Sequence, residues 1–253
     1  MSPEPTSAST QRIEMEPAMS TPDSPASMPT RATTPVASAP LTPRGARTRA
    51  ALVKAARALF ERQGYLDTNV GDIAKRARVA HGTFYTYFAS KEEIFAEVSE
   101  DLQHQMLAVA EAEPHLPSDA PLSARIERSN RGYLRGYEQN ARMMGVIEQV
   151  ATFNPRLSAI RRANRRYFVQ RNTAAIRRWQ EQGLVDERID PGYAASALGS
   201  MVDRSAYVWL VLGEPYELEQ ATIQLTRLYC NALGMRYHRD HEPVTTGRQK
   251  KRS

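Results

Sequence analysis

Residues 69–88 read Asn69-Val70-Gly71-Asp72-Ile73-Ala74-Lys75-Arg76-Ala77-Arg78-Val79-Ala80-His81-Gly82-Thr83-Phe84-Tyr85-Thr86-Tyr87-Phe88, and this stretch decides the fold. Asn69 is placed to accept an unpaired backbone N–H, and Asp72 sits near the positive end of the helix that follows, so the spacing predicts a short helix over Val70–Ala77. Arg78 and Val79 leave room only for a tight connection into a second short helix, His81–Phe88. That helix has two faces: Phe84 and Phe88, four apart, suit a core, whereas His81, Thr83, Tyr85, Thr86 and Tyr87 are polar or amphipathic. Upstream, Leu52, Ala55, Ala56, Leu59 and Phe60 recur at helical spacing over Arg44–Gln63, with Pro43 expected just outside the start and Gly64 at the end. One long helix and two short ones have the proportions of a helix-turn-helix unit, whose last helix can lie in the major groove of DNA.

Charge points the same way. From Arg44 to Lys91 there are ten basic residues against three acidic ones, a net of +7, which exceeds the +6 of the whole 253-residue chain. The basic excess is therefore local and suits a polyanion. Phe84 and Phe88 are expected to pack on Leu59, Ile73 and Ala74, and Gly82 to let the backbone approach DNA closely. Without further information the same pattern also fits a small helical subdomain with a solvated polar face.

Gly64-Tyr65, Thr68-Asn69-Val70, Asp72-Ile73-Ala74, Ala77, Val79, Gly82-Thr83-Phe84-Tyr85, Tyr87-Phe88 and Lys91-Glu92 resemble the N-terminal domain of the tetracycline-repressor (TetR) family of regulators. The resemblance implies an all-helical homodimer, with a DNA-binding domain followed by a variable ligand-binding and dimerisation domain. Carried across by position, it assigns His81, Gly82, Thr83 and Thr86 to base-edge or groove contact, and Thr68, Asn69, Tyr85, Tyr87 and Lys91 to phosphates. Two positions depart from the family pattern: Arg78 stands where Gly is usual in the turn, and Ala80 where Ser or Thr usually caps the recognition helix. A missing cap of this kind costs about 1 kcal/mol.

The remainder reads as helix throughout, without sustained period-two alternation, so the fold class is all-α. Ser90 and Glu93 form a capping box before a long amphipathic helix carrying Ile94, Phe95, Val98, Leu102, Met106 and Val109. Further helices are expected at Leu122–Asn140, Arg142–Thr152, Pro155–Gln182, Pro191–Leu212 and Glu217–Leu233. The domain order is a disordered tail over 1–43, the DNA-binding domain over 44–92, a helical effector-binding and dimerisation domain over 93–236, and a basic tail over 237–253. Half of the 16 prolines lie in residues 1–40, with seven Ser and six Thr, a composition unable to bury enough apolar area to fold. That tail shows no signal-peptide pattern, and the apolar run Tyr193–Gly213 carries Asp203 and Arg204 at its middle, which argues against a membrane span. The single cysteine, Cys230, excludes an internal disulfide and suits a reducing cytoplasm.

In the C-terminal half, Leu198, Val202, Tyr207, Trp209, Leu225, Leu228 and Tyr229 are expected at a two-fold dimer interface. Met143, Met144, Ile147, Phe153, Tyr167, Phe168 and Met201 are candidates for an effector cavity, or equally for ordinary core. Eight arginines and no acid lie between Pro155 and Gln180. They form either a solvated face or, through the 161/165 and 162/166 pairs, a grip on an anionic acyl-type effector, so Arg165 and Arg166 join the pocket candidates. Asp203 and Arg204 point about 100° apart on a helix. Each therefore reaches a separate partner or a polar ligand.

No Walker A loop, GxGxxG turn, HExxH pair or GxSxG elbow is present, and the His238/His241 pair lacks supporting ligands, so neither catalytic residues, a cofactor nor a metal is expected. The function expected is a ligand-responsive transcriptional regulator, acting as a repressor released from a palindromic double-stranded DNA operator by a small hydrophobic or acyl-type effector. The alternative is an architectural or nonspecific DNA-binding protein without a sensor.

Overall fold

Thr42 opens the first helix. Its hydroxyl accepts the Gly45 N–H at 3.2 Å, and Pro43 takes the first helical position, where its missing N–H leaves no bond unmade. Pro43 thus belongs to the helix rather than standing outside it. The computed structural model describes residues 41–117, 119–235 and 237, and among these every regular element is helical. The order is α1 (Pro43–Gln63), α2 (Val70–Arg76), α3 (His81–Tyr87), α4 (Lys91–Glu111), α5 (Leu122–Phe153), α6 (Pro155–Glu181), α7 (Pro191–Leu210) and α8 (Leu218–Ala232). Of the tail expected over 1–43, residues 1–40 lie outside the described residues, as does all but Tyr237 of the basic tail, whereas Thr42 and Pro43 already belong to the start of α1.

The helix starts follow the sequence. Asn69 Oδ1 accepts the Asp72 N–H at 2.9 Å, and Ser90 Oγ accepts that of Glu93 at 3.2 Å. The Glu93 carboxylate reaches back to the Ala89 N–H at 2.6 Å, which closes the capping box one residue early. One boundary differs. The two helices expected over 122–152 are the single helix α5, because Asn140 does not turn outward to cap a new start. Its Nδ2 donates to the Gly136 carbonyl at 2.7 Å, and its Oδ1 accepts from Arg57 of α1 at 2.7 Å.

Helix α5 is the axis of the C-terminal part, with α4, α6, α7 and α8 packed around it. Gly132 allows α4 to approach unusually closely, since a Cβ there would lie 2.7 Å from the Ala110 Cα; at Gly136 the spacing is ordinary, 3.4 Å from the Met106 Cα. The principal core is continuous from Leu59, Phe60, Ile73, Phe84 and Phe88, through Ile94, Phe95 and Leu102 of α4, to Leu134, Tyr137 and Met143 of α5. A second cluster holds Ile126, Ile176, Leu198, Tyr229, Cys230 and Leu233. Among the described residues no helix is long and apolar enough to cross a membrane.

Gly132→Ala should destabilise the protein by about 1–3 kcal/mol, since the new methyl meets backbone that cannot rotate away. Thermal or urea denaturation reads this directly, and an unchanged midpoint would mean that α4 and α5 separate freely.

Candidate nucleic-acid interface

Helix α3 presents His81, Gly82, Tyr85 and Thr86 to solvent and buries Phe84 and Phe88. The exposed residues fall at i, i+1, i+4 and i+5 and so share one face. Tyr85 is 53% exposed, with its ring centroid 5.5 Å from that of His81. Tyr85, read from the resemblance as a phosphate ligand, therefore lies on the same surface as the residues expected to reach base edges. Thr83 and Tyr87 are half-buried, and the Tyr87 hydroxyl lies beside Gly45, where a Cβ would stand 3.5 Å from it. This contact brings the end of α3 to the start of α1.

The turn between α2 and α3 has a definite form. The Val79 N–H reaches the Ala74 carbonyl at 3.0 Å and the Arg78 N–H that of Lys75 at 3.1 Å, a Schellman pair that requires a left-handed residue between. Arg78 supplies it with φ of 58°, in place of the glycine that adopts this region without steric penalty. Ala80 precedes α3 with no side-chain hydrogen bond to its first turn. Both departures noted in the sequence are therefore present as local costs.

Two expected phosphate ligands are turned inward. Thr68 is 1% exposed, and its hydroxyl donates to the Gly64 carbonyl at 2.7 Å, so the side chain offers no surface to a phosphate. Lys91 donates to the carbonyls of Tyr65 at 2.9 Å, Thr68 at 2.8 Å and Leu66 at 3.4 Å, and its ammonium stands 4.3 Å from the Tyr65 ring centroid. Burial lowers the Lys91 pKa against the opposing pull of Glu92 and Asp67. All three donors of the ammonium thus hold the α1–α2 loop. Asn69 remains exposed while it caps α2.

The cations left free are different ones. Among the described residues Arg44, Arg47, Lys54, Arg62, Lys75, Arg76 and Arg78 are exposed and make no ion pair, whereas Arg49 pairs with Glu97 and Arg57 with Glu61. Sequence reasoning counted these cations in the regional charge but named none of them as a contact. Their position on α1, α2 and the turn was available from that count.

In the C-terminal part the expected pocket residues do not converge. Met143 and Met144 are buried in the principal core, with Ile147 and Met201 packed against it. Phe153 is 46% exposed and lies instead against Tyr65, 6.3 Å between ring centroids. Tyr167 and Phe168 are half-buried, edge to face with each other. The paired-arginine grip is absent because its members face apart: Arg165 bonds the Ser196 hydroxyl at 2.9 Å, Arg166 is exposed, Arg162 bonds Ser158, and Arg161 points inward. There Arg161 bridges Glu148 of α5 and Asp203 of α7, the latter at 3.0 Å, and Tyr133 donates to Asp203 at 2.6 Å. Arg204 stands 4.5 Å from the Tyr207 ring centroid, so Asp203 and Arg204 have separate partners, as their angular separation requires.

Of the expected interface residues, Leu198, Val202, Leu225 and Tyr229 are buried within the chain itself and have no surface to offer a partner. Tyr207 and Trp209 are half-buried, and Leu228 is exposed. The open apolar side chains on α7 and α8 are Tyr193, 83% exposed, and Leu228, 53% exposed.

Residues 52–98 match the sequence model of the family described as bacterial regulatory proteins, tetR family. An uncharacterized HTH-type transcriptional regulator of Bacillus subtilis is 38% identical over 69 residues, which cover 27% of this chain and 35% of the relative. The chain thus spans about a third of the length of such relatives. The fatty acid metabolism regulator protein of Bacillus subtilis is 21% identical over 66% of this chain and 86% of its own length. The solved structure of a fatty acid degradation regulator from Bacillus halodurans superposes with a TM-score of 0.62 at 17% identity, covering 75% of this chain and 97% of the other. That likeness extends the shared fold beyond the helix-turn-helix.

Arg78→Gly should raise stability by about 1 kcal/mol by relieving the left-handed backbone, read as a higher unfolding midpoint. Lys91→Met should lower stability by about 1–3 kcal/mol, because the Tyr65 and Thr68 carbonyls lose their donor. Should Lys91→Met leave the midpoint unchanged and weaken only DNA binding, the ammonium acts on phosphate and not on the loop.

Proposed function

We propose that this chain, a TetR-family protein by its N-terminal domain and its fold, is a ligand-responsive transcriptional repressor that binds a palindromic DNA operator as a homodimer. The observation that carries the reading is the exposed face of α3, with His81, Tyr85 and Thr86 flanked by unpaired cations on α1, α2 and the turn. Short polar side chains and a bare Gly82 backbone suit base edges in the major groove, and the arginines suit the phosphates on either side. Asn69 and Tyr87 join the backbone contacts in this reading, through the α2 N-terminus and the α3 C-terminus.

The sensor lies in the C-terminal helices, whose effector is a small hydrophobic or acyl-type molecule. The names of the two fatty-acid regulators support the acyl class, and the half-buried Ile147, Met201 and Tyr207 offer it apolar surface. Dimerisation is assigned to the open side of α7 and α8, around Tyr193 and Leu228, since the inner side of both helices is already occupied. Effector binding would favour a dimer geometry whose two α3 helices no longer match successive half-sites, with a coupling of about 1–3 kcal/mol.

Selection from random double-stranded DNA with the full chain, followed by binding as a function of salt, tests this. The expected outcome is a palindrome with half-sites about one helical turn apart. Arg76→Ala should weaken binding to all sequences and reduce the salt slope by about one unit, whereas His81→Ala and Thr86→Ala should change which base is preferred. Binding that depends on salt alone, with no sequence selected, would sink the repressor reading.

A further inference from the structure

The arginine run of α6 is used neither by the core nor by the exposed face of α3. Eight arginines and no acid lie between Pro155 and Gln180, and two of them turn to neighbouring helices: Arg161 to Glu148 and Asp203, and Arg165 to Ser196. The other six, Arg156, Arg162, Arg166, Arg171, Arg177 and Arg178, are exposed. Among the described residues the ion pairs of α6 are those of Arg161, so these six guanidinium groups face water without a carboxylate.

Helical geometry arranges the six in two rows. At about 100° per residue, Arg162, Arg166 and Arg177 fall within about 60° of one another. Arg156, Arg171 and Arg178 fall within a second arc of about 60°, whose centre lies about 120° from the first. Ala159, Gln170 and Ala174 are exposed between the rows, so the middle of the face is uncharged and mostly small. Leu157 and Ile176 are buried on the opposite side, where α6 packs on α5 and α7, and this fixes the roll of the helix. From Arg156 to Arg178 the face runs for about 33 Å.

Two cationic rows beside a neutral middle match a partner that carries two lines of negative charge over the same length. Duplex DNA is such a partner: phosphate strands border each groove, the major groove is about 12 Å wide against a helix diameter of about 10–12 Å, and about one charge falls in every 1.7 Å of axis. A bilayer surface is flat and meets one row at a time. Among the described residues α6 also exposes no large apolar side chain to enter it. A second copy of the face carries the same charge and repels the first.

We propose that the outer face of α6 is a second binding surface for double-stranded DNA, independent of base sequence and distinct from the face of α3. It begins at Arg156, three residues beyond the Phe153 ring that leans on Tyr65, and continues along the C-terminal helices. Its guanidinium groups hold phosphates, so it retains a DNA segment whether or not α3 finds its bases. The inference goes beyond the repressor reading and does not require it.

Fluorescence anisotropy of a random-sequence duplex of about 30 base pairs with the full-length protein, over a range of salt, reads this surface. Arg162→Gln, Arg171→Gln and Arg177→Gln together take charge from both rows without touching the core. They should weaken binding at least about tenfold near 0.1 M salt and lower the salt slope by about two units. Lys at the same three positions should keep both, because either cation releases counterions. In a chain already carrying Arg44→Ala and Arg76→Ala, salt-dependent duplex binding should persist, and the three Gln changes should then abolish it. Unchanged affinity and slope in the Gln variant, the same loss in the Lys variant, or binding abolished by Arg44→Ala and Arg76→Ala alone overturns the proposal. Loss of binding to phosphatidylglycerol vesicles with duplex binding intact also overturns it and assigns the face to a membrane. If selection from random DNA returns no sequence while the α6 effect is present, the repressor reading falls and this surface stands.

Discussion

The exposed face of α3 depends on two phenylalanines. Phe84 and Phe88 fix the roll of α3, and they are buried in a core that the helix-turn-helix does not own by itself. Phe60 meets Phe95 of α4 edge to face at 5.0 Å, Tyr65 meets the same ring at 4.9 Å, and Ile94 and Val98 complete the floor. Burying large side chains of this kind contributes roughly 1.5–3 kcal/mol each. Helix α3 therefore packs on α2 and shares one core with α1 and α4, and that core fixes which way the exposed face of α3 points.

Helix α4 is in turn held from behind. Its last two turns lie against α5, too closely for any side chain at Gly132 and at ordinary contact distance at Gly136, so this α4–α5 piece is tightly packed. Two further links join that piece to the N-terminal helices. Arg57 of α1 binds Glu61 on its own helix, Gln105 on α4 and Asn140 on α5, and Phe153 at the α5–α6 corner leans on Tyr65. Lys91 then ties Tyr65 to the loop that leads into α2. A contiguous set of packed and hydrogen-bonded groups thus runs from α5 to the α1–α2 loop, which is the physical requirement for one end to bias the other.

The N-terminal three helices were legible in the sequence because their signals are local. Caps at Asn69 and Ser90, the Phe84/Phe88 spacing and the missing cap at Ala80 all act within one or two turns. Failures came where a side chain's meaning is set by a distant partner. Asn140 looks like a helix boundary until Arg57 occupies its oxygen. Lys91 and Thr68 look like phosphate ligands until the carbonyls of the loop claim them. Leu198, Val202, Leu225 and Tyr229 carry helical spacing that is identical for a core and for an interface, and only the packing separates the two. Arg161 was one of eight arginines on α6, and nothing in the run marks it as the one turned inward.

The turn and the first residue of α3 argue for how such a helix is used. Seven residues are too few for a helix to persist alone, and this one starts without a cap and follows a left-handed arginine. Its order comes almost wholly from tertiary contact through Phe84 and Phe88. A helix stabilised by its own hydrogen bonds would resist being moved, because its local structure would have to be rebuilt in each new setting. One stabilised by two rings in a shared core moves with that core. The weak local signals at Arg78 and Ala80 are consistent with this division: they leave the shared core of α1, α2 and α4 in control of where the exposed face of α3 is presented.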